Sequence, residues 1–245
     1  MPLDLRRYRQ RASAGRSLLA LELRVLTGNQ AIVLAVVQLV YFTVITLMVK
    51  LGDDDWRAAS FYNSVVVLPS LVPAIALGMV AVMGDRDSRQ LEVTFVARGG
   101  RYQVWIFRLC AIAGSCAASA LVLSALAWAI LDHDHRPVAA FLHALFPIVF
   151  VVVLAMGLSV TFNGAAVAGL VTTGFLGVSF VLLHGGPLVA RRFDVFFNPF
   201  DQPQDLLDPA EWFRAVVFNR SLLLALAGLA LAGTLLLVQR RERLL

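Results

Sequence analysis

Acidic side chains are scarce in this chain and none is placed for chemistry inside a membrane. Its 245 residues carry 16 Asp and Glu against 21 Lys and Arg, and no acid falls within any of its long apolar runs. Ion relays through a bilayer are built from ionisable groups at depth, so proton or sodium coupling finds no support. Lysine is nearly missing as well, with Lys50 the single example. A Walker-type phosphate loop needs a lysine directly after its glycines, and Lys50 follows an apolar run, so ATP hydrolysis by that route is excluded. The chain has no His-Glu-x-x-His pair for a catalytic zinc and no Gly-x-Ser-x-Gly nucleophile elbow. Its two cysteines, Cys110 and Cys116, share one apolar run at a spacing that puts them on different helix faces, and read as small packing residues.

What fills the chain instead is apolar: 59% hydrophobic residues, 15% charged and a mean hydropathy of +0.78. A bilayer core about 30 Å thick needs about 20 apolar helical residues to cross it. Six runs meet that length, near Ala31 to Val49, Phe61 to Met83, Trp105 to Leu131, Val138 to Val160, Ala165 to Leu183 and Ser221 to Val238. The expected fold is an all-α integral membrane protein in two parts: an interfacial N-terminal helix within 1–30, and a six-span domain over 31–245 with long connections at 84–104 and 184–220. No removable leader is expected, because the first apolar run follows an Arg-studded stretch and ends at Lys50 without a small-residue cleavage site.

A pI near 9.9 suggests nucleic acid only when the basic residues gather on one surface. Here they flank the apolar runs. Two thirds of the 21 fall on the side that holds both chain ends, which by the positive-inside rule places the termini in the cytosol, in a cell (inner) membrane, with lipid and not nucleic acid as the surrounding partner. As a helix, Ser13 to Thr27 would put Arg16, Ala20, Arg24 and Thr27 on one face and leucines on the other, as interfacial helices do. Glu22 falls on the apolar side, where it either takes a basic partner or stays in water.

The connection from Gly84 to Arg101 is the most suggestive polar segment. Asp85 and Asp87 can cap a helix start, Leu91, Phe95 and Arg98 share a face, and Gly99-Gly100 ends it before Arg101. Such a helix is either a knob for a soluble partner or a basic segment resting on headgroups. Further along, Ala165, Gly169, Thr173 and Gly177 form a small-residue stripe that suits close helix packing, within one subunit or between two. Asp132-His133-Asp134-His135 is either a solvated turn or a divalent-metal site. His143 is either a hydrogen-bonded packing residue or a relay. Phe193, Phe196, Phe197, Phe200, Trp212 and Phe213 gather before the last span as an interfacial aromatic belt, with Asp208-Pro209-Ala210-Glu211 as the capped start of a short helix. A lipid-modifying enzyme would have to draw on Asn163, His143, His184 and the Asp/His turn.

In order and character these parts resemble the ABC-2 type permease family, the membrane subunits of ATP-driven exporters. The likeness covers nearly the whole chain. It is best in the loop, with an acidic start at Asp85 and Asp87, then Leu91 and Glu92, then a basic turn from Arg98 to Arg101; Asn219-Arg220 and Arg240-Arg241-Glu242-Arg243 also fit. Gly99-Gly100 stands where a proline is common, and Arg108 where a lysine is. The resemblance implies a dimer of identical or related permease subunits and cytosolic ATPase subunits that bind the ATP and magnesium, this chain holding no cofactor. It implies ATPase coupling through Asp85, Asp87, Arg89, Leu91, Glu92, Phe95, Arg98 and Arg101 and through the interfacial helix with Glu22 and Arg24. Cargo would be amphiphilic or apolar: a lipid, glycolipid, drug or peptide.

Overall fold

A computed structural model describes residues 29–51, 62–87, 101–131, 136–202 and 208–240. They are helical with short turns, and six of the helices are long and apolar enough to cross a membrane. We name them in chain order: α1 Asn29–Leu51, α2 Leu68–Asp87, α3 Arg101–Leu131, α4 Pro137–Phe162, α5 Ala165–Ser179, the single turn α6 Leu188–Arg191, and α7 Pro209–Arg240. A π-helical stretch, Tyr62–Val67, leads into α2, and another, Phe180–His184, extends α5. Helices dominate because a chain in lipid must satisfy its backbone N–H and C=O groups internally.

The bundle is built around α2 and α4. Small side chains let them close up: a Cβ on Gly78 would stand 3.0 Å from both Ala155 Cβ and the Val152 carbonyl. On the far side of α4, a Cβ on Gly157 would stand 2.6 Å from Thr234 Oγ1 of α7. Between lipid-exposed helices, van der Waals contact of this kind replaces the hydrophobic drive available in water. Ala140, Ala144, Ile148, Val151, Val152, Ala155 and Met156 give α4 a fully enclosed face. Asn163, in the left-handed conformation at φ 56°, caps α4 and turns the chain directly into α5.

Proline sets the winding of the second span. The helix changes from π to α at Leu68–Pro69, and Ser70 Oγ donates to the Val66 carbonyl at 2.6 Å. Pro73 has no N–H, so the Pro69 carbonyl one turn back loses its helical donor. Gln38 of α1 supplies it, Nε2 to Pro69 O at 2.7 Å, and Ser119 Oγ of α3 donates to Gln38 Oε1 at 2.8 Å.

Two expectations are corrected. The last helix begins at Pro209, not at Ser221, so the predicted short helix and the last span are one element. Polar Arg214, Asn219 and Arg220 interrupt the apolar signal without breaking the helix, since no Gly or Pro lies between Ala210 and Ser221. Its start is as predicted: the Ala210 amide donates to Asp208 Oδ1 at 3.3 Å. Asp85 and Asp87 belong to the end of α2, which runs on through both because nothing in Val82 to Asp87 forces it to stop, and the helix expected after them lies outside the described residues.

Candidate functional site

Alternation of the spans puts Tyr62, Pro137, His184 and the start of α7 at one end of the bundle, and Asp87, Arg101, Asn163 and Arg240 at the other. Ser124 Oγ confirms the level, donating to the Pro137 carbonyl at 2.9 Å. The first end is where buried polar groups converge.

Asp194 anchors it. This carboxylate is 1% exposed; Oδ1 accepts from Ser179 Oγ at 3.0 Å and from the Phe196 amide at 3.0 Å, and Oδ2 lies 2.9 Å from His184 Nδ1. The π-wound end of α5 brings both Ser179 and His184 to it, and Phe180 stacks on the imidazole at 4.7 Å. Ser179 bonds the carboxylate and not the imidazole, so this is no nucleophile-and-base pair. Among the described residues no hydroxyl or thiol bonds the His184 ring.

From α7, Asn219 Nδ2 donates to the carbonyls of Arg192 at 3.0 Å and Asp194 at 2.9 Å. Its Oδ1 takes Arg220 Nη1 at 3.0 Å, while Arg220 Nη2 donates to the Phe197 carbonyl at 3.0 Å. Asn63, on the π turn before α2, donates to the Phe196 carbonyl at 2.8 Å, and Trp212 Nε1 to the Pro199 carbonyl at 3.1 Å. With the Val195 amide donating to Ser179 Oγ of α5 at 3.3 Å, side chains from three helices thus clamp the backbone of 192–199. Ion pairs Arg191–Asp201 at 2.8 Å and Arg192–Glu211 at 3.4 Å fasten its rim.

Arg220 is the unusual member. It is 5% exposed, and among the described residues no carboxylate lies within 4 Å of it. A buried charge is costly unless paired. Here its partners are neutral oxygens and the Phe146 ring, 5.8 Å from the guanidinium carbon. Its Nε has no acceptor, His143 Nδ1 makes no hydrogen bond, and the Tyr62 hydroxyl lies against the Arg220 guanidinium without a well-aligned hydrogen bond. Both groups feel the Arg220 charge. The Phe200 ring packs edge-on against each of them, 5.3 Å from Tyr62 and 5.6 Å from His143.

At the opposite end, α2 and α3 run past their apolar spans, which close at Val82 and open at Trp105. Arg108 Nη1 of α3 donates to the Ala81 carbonyl of α2, joining the two helices at this point, while the buried Trp105 ring one turn back on α3 lies 5.5 Å under the guanidinium and holds it in place.

The predicted residues are placed unevenly. Asp85 and Asp87 end α2 and Arg101 opens α3. Arg89, Leu91, Glu92, Phe95 and Arg98, the interfacial Glu22 and Arg24, and the Asp132–His135 turn lie outside the described residues. Gly169 packs close in the subunit, with Met79 Sδ 2.6 Å from where a Cβ would stand, whereas Thr173 and Gly177 face outwards. The buried stripe of α5 is one residue over, at Ala168, Thr172, Leu176 and Ser179. The aromatic belt divides: Phe196, Phe197 and Trp212 turn into the protein, and Phe193 and Phe213 stay exposed. His143 packs against Phe200 with its Nδ1 unbonded, and Asn163 is a helix cap. Sequence reasoning missed Asp194, Tyr62 and the inward role of Arg220; an acid or an arginine beside a span reads as a boundary charge until its partners are known. The chain matches no family model, no curated protein and no solved structure.

Proposed function

We propose that this chain is the permease subunit of an ABC-type exporter, seated in the cytoplasmic membrane with both termini in the cytosol and working as a dimer with a like or related subunit. The observation that carries the reading is the lever at the α2–α3 end. Helices α2 and α3 extend past their apolar spans on one side into a charged connection, and Arg108 of α3 ties their bases together through the Ala81 carbonyl of α2. A push on that connection is passed to α2, and through the Gly78 contact to α4, the middle of the bundle. Rigid packed helices transmit a displacement of this sort as a rocking of the whole bundle.

The energy comes from separate cytosolic ATPase subunits, which hold the ATP and magnesium and grip Leu91 and Phe95, with Asp85, Asp87, Arg89, Glu92, Arg98 and Arg101 around them. The lack of a nucleotide loop in this chain is what such a division of labour requires. Spans without acids suit an amphiphilic or apolar cargo. A test is reconstitution of the chain with the ATPase that co-purifies with it. Nucleotide hydrolysis by the complex should depend on the membrane subunit and fall to the level of the free ATPase when Leu91 and Phe95 are both changed to Asp. A purified chain that hydrolyses ATP alone, or a double variant that keeps full association, overturns the reading.

A further inference from the structure

The groups that lack partners around Arg220 come from three different helices, and two of them, on Tyr62 and His143, meet under one side chain. Tyr62 Oη arrives from the π turn before α2, His143 Nδ1 from α4 and Arg220 Nε from α7. Two are hydrogen-bond donors and the imidazole nitrogen becomes a third in one tautomer. Buried polar atoms are nearly all bonded in native proteins. An unfilled donor on a buried cation, two further unfilled groups beside it and no acid within 4 Å among the described residues together suit an acceptor that is itself anionic.

Phe200 covers them. Its ring touches Tyr62 and His143, while the backbone behind it stays clamped: Phe196, Phe197 and Pro199 carbonyls are all bonded by side chains, and the Phe200 amide donates to Asn198 Oδ1 at 3.0 Å. Uncovering the orphans therefore asks only for a turn of the Phe200 side chain, whose ring is partly exposed. A phenyl ring that swings away leaves room for a phosphate-sized group. A tetrahedral oxyanion also offers acceptors in several directions, as donors from three helices demand, where a carboxylate offers them in one plane.

We propose that Tyr62, His143 and Arg220 form a binding site for a phosphate-type oxyanion, covered by Phe200 in this conformation, the anion being carried on a lipid headgroup or free in solution. Calling that ligand a cargo rests on the export reading; the binding does not.

The test is thermal unfolding of the detergent-purified full chain, titrated separately with a short-chain phosphatidic acid, a neutral diacylglycerol of the same chains, and inorganic phosphate. Phosphatidic acid should raise the melting temperature and the diacylglycerol should not. A matching response to inorganic phosphate assigns the site to free anion, and a response to the lipid alone assigns it to headgroups. Tyr62→Phe keeps the buried ring and removes a hydroxyl that has no well-aligned hydrogen bond in the fold, so the variant folds; its affinity for the responding phosphate compound should fall about tenfold, since a hydrogen bond to an anion is worth about 1.5 kcal/mol or more. Phe200→Ala should tighten binding several-fold. Equal responses to phosphatidic acid and diacylglycerol, or an unchanged affinity in Tyr62→Phe, overturn the site. Loss of ATP-coupled function with binding intact would instead sink the export reading alone, and intact coupling without a phosphate response would sink only the site.

Discussion

Two polar clusters hold this bundle together, and they are satisfied to very different degrees. At Gln38, both ends of the amide are used: Nε2 serves the carbonyl that Pro73 strands and Oε1 takes the Ser119 hydroxyl. The groove of about 350 Å³ beside it, lined by Leu34, Pro73, Leu77, Ser115 and Cys116 among others, adds no loose polar group, since Ser115 Oγ is bonded to Ala111 O at 2.8 Å. At Arg220 the bonds are more numerous, yet Tyr62, Asn63, His143 and Arg220 each keep an atom without a partner. A polar group kept in an apolar setting is explained by structure when all its bonds are made, and points to function when they are not. The Gln38 cluster is a fastener; the Arg220 cluster is a fastener on its Asp194 side and a site on its Tyr62 side.

The largest effect should come from the fastening half of the second cluster. Asp194→Ala strands the Ser179 hydroxyl, the Phe196 amide and the His184 ring nitrogen. The Ser179 hydroxyl and the Phe196 amide are buried and cost about 1–3 kcal/mol each when stranded, while the part-exposed His184 adds less, so the loss should reach about 2 kcal/mol or more and appear as a large drop in the melting temperature in detergent. Asp194→Asn keeps an acceptor for Ser179 and Phe196 and turns an amide toward the His184 ring, and should recover most of it. Equal damage from both would mean that charge, and not hydrogen bonding, holds the loop.

Gln38→Leu should come next, at about 1–2 kcal/mol. It leaves the Pro69 carbonyl and Ser119 hydroxyl unmatched, and it loosens a helix with little else to hold it. Only 11% of the α1 span is buried, against 67% of the span that contains α2; Phe42, against Val65, Leu123 and Ala127, is its other firm contact. Disulfide trapping between cysteines placed on α1 and α3 should slow in the variant. Unchanged trapping would demote the glutamine to one contact among many.

The six spans were legible in the sequence because apolar length is a property of one segment, and a bilayer makes length decisive. Gly78 and Gly157 were not, since a glycine shows its close neighbour only once two helices are packed. The last helix was misread at its start because a hydropathy signal stops at Arg214, Asn219 and Arg220, whereas helix geometry stops only at a breaker or an uncapped end. The candidate site was hidden for a related reason. Asn63, Asp194 and Asn219 are each unremarkable locally and gain meaning from bonds that cross 133 residues between Asn63 and Phe196, and 25 between Asn219 and Asp194. Conversely, the segment most suggestive in sequence, with Leu91 and Phe95, owes its interest to local pattern alone.

A matched pair of hydroxyl deletions gives the smallest and sharpest contrast. Ser119→Ala and Tyr62→Phe each remove one oxygen from a span and change no charge. Ser119 donates to Gln38, so its loss leaves Oε1 without a donor and should cost about 0.6–1 kcal/mol, the usual worth of a hydrogen bond between membrane helices. Tyr62 is 2% exposed and its hydroxyl, though beside the Arg220 guanidinium, has no well-aligned hydrogen bond, so the folded protein already carries most of the desolvation penalty. Removing it deletes that penalty and leaves the ring packed against Phe200. The sign should therefore reverse: Tyr62→Phe should be neutral or stabilising by about 0.5–1 kcal/mol in the absence of added phosphate compounds. Melting temperatures measured side by side decide it. A Tyr62→Phe variant that is destabilised as much as Ser119→Ala would show that the hydroxyl has a structural bond to Arg220, and the two clusters would then differ in size and not in kind.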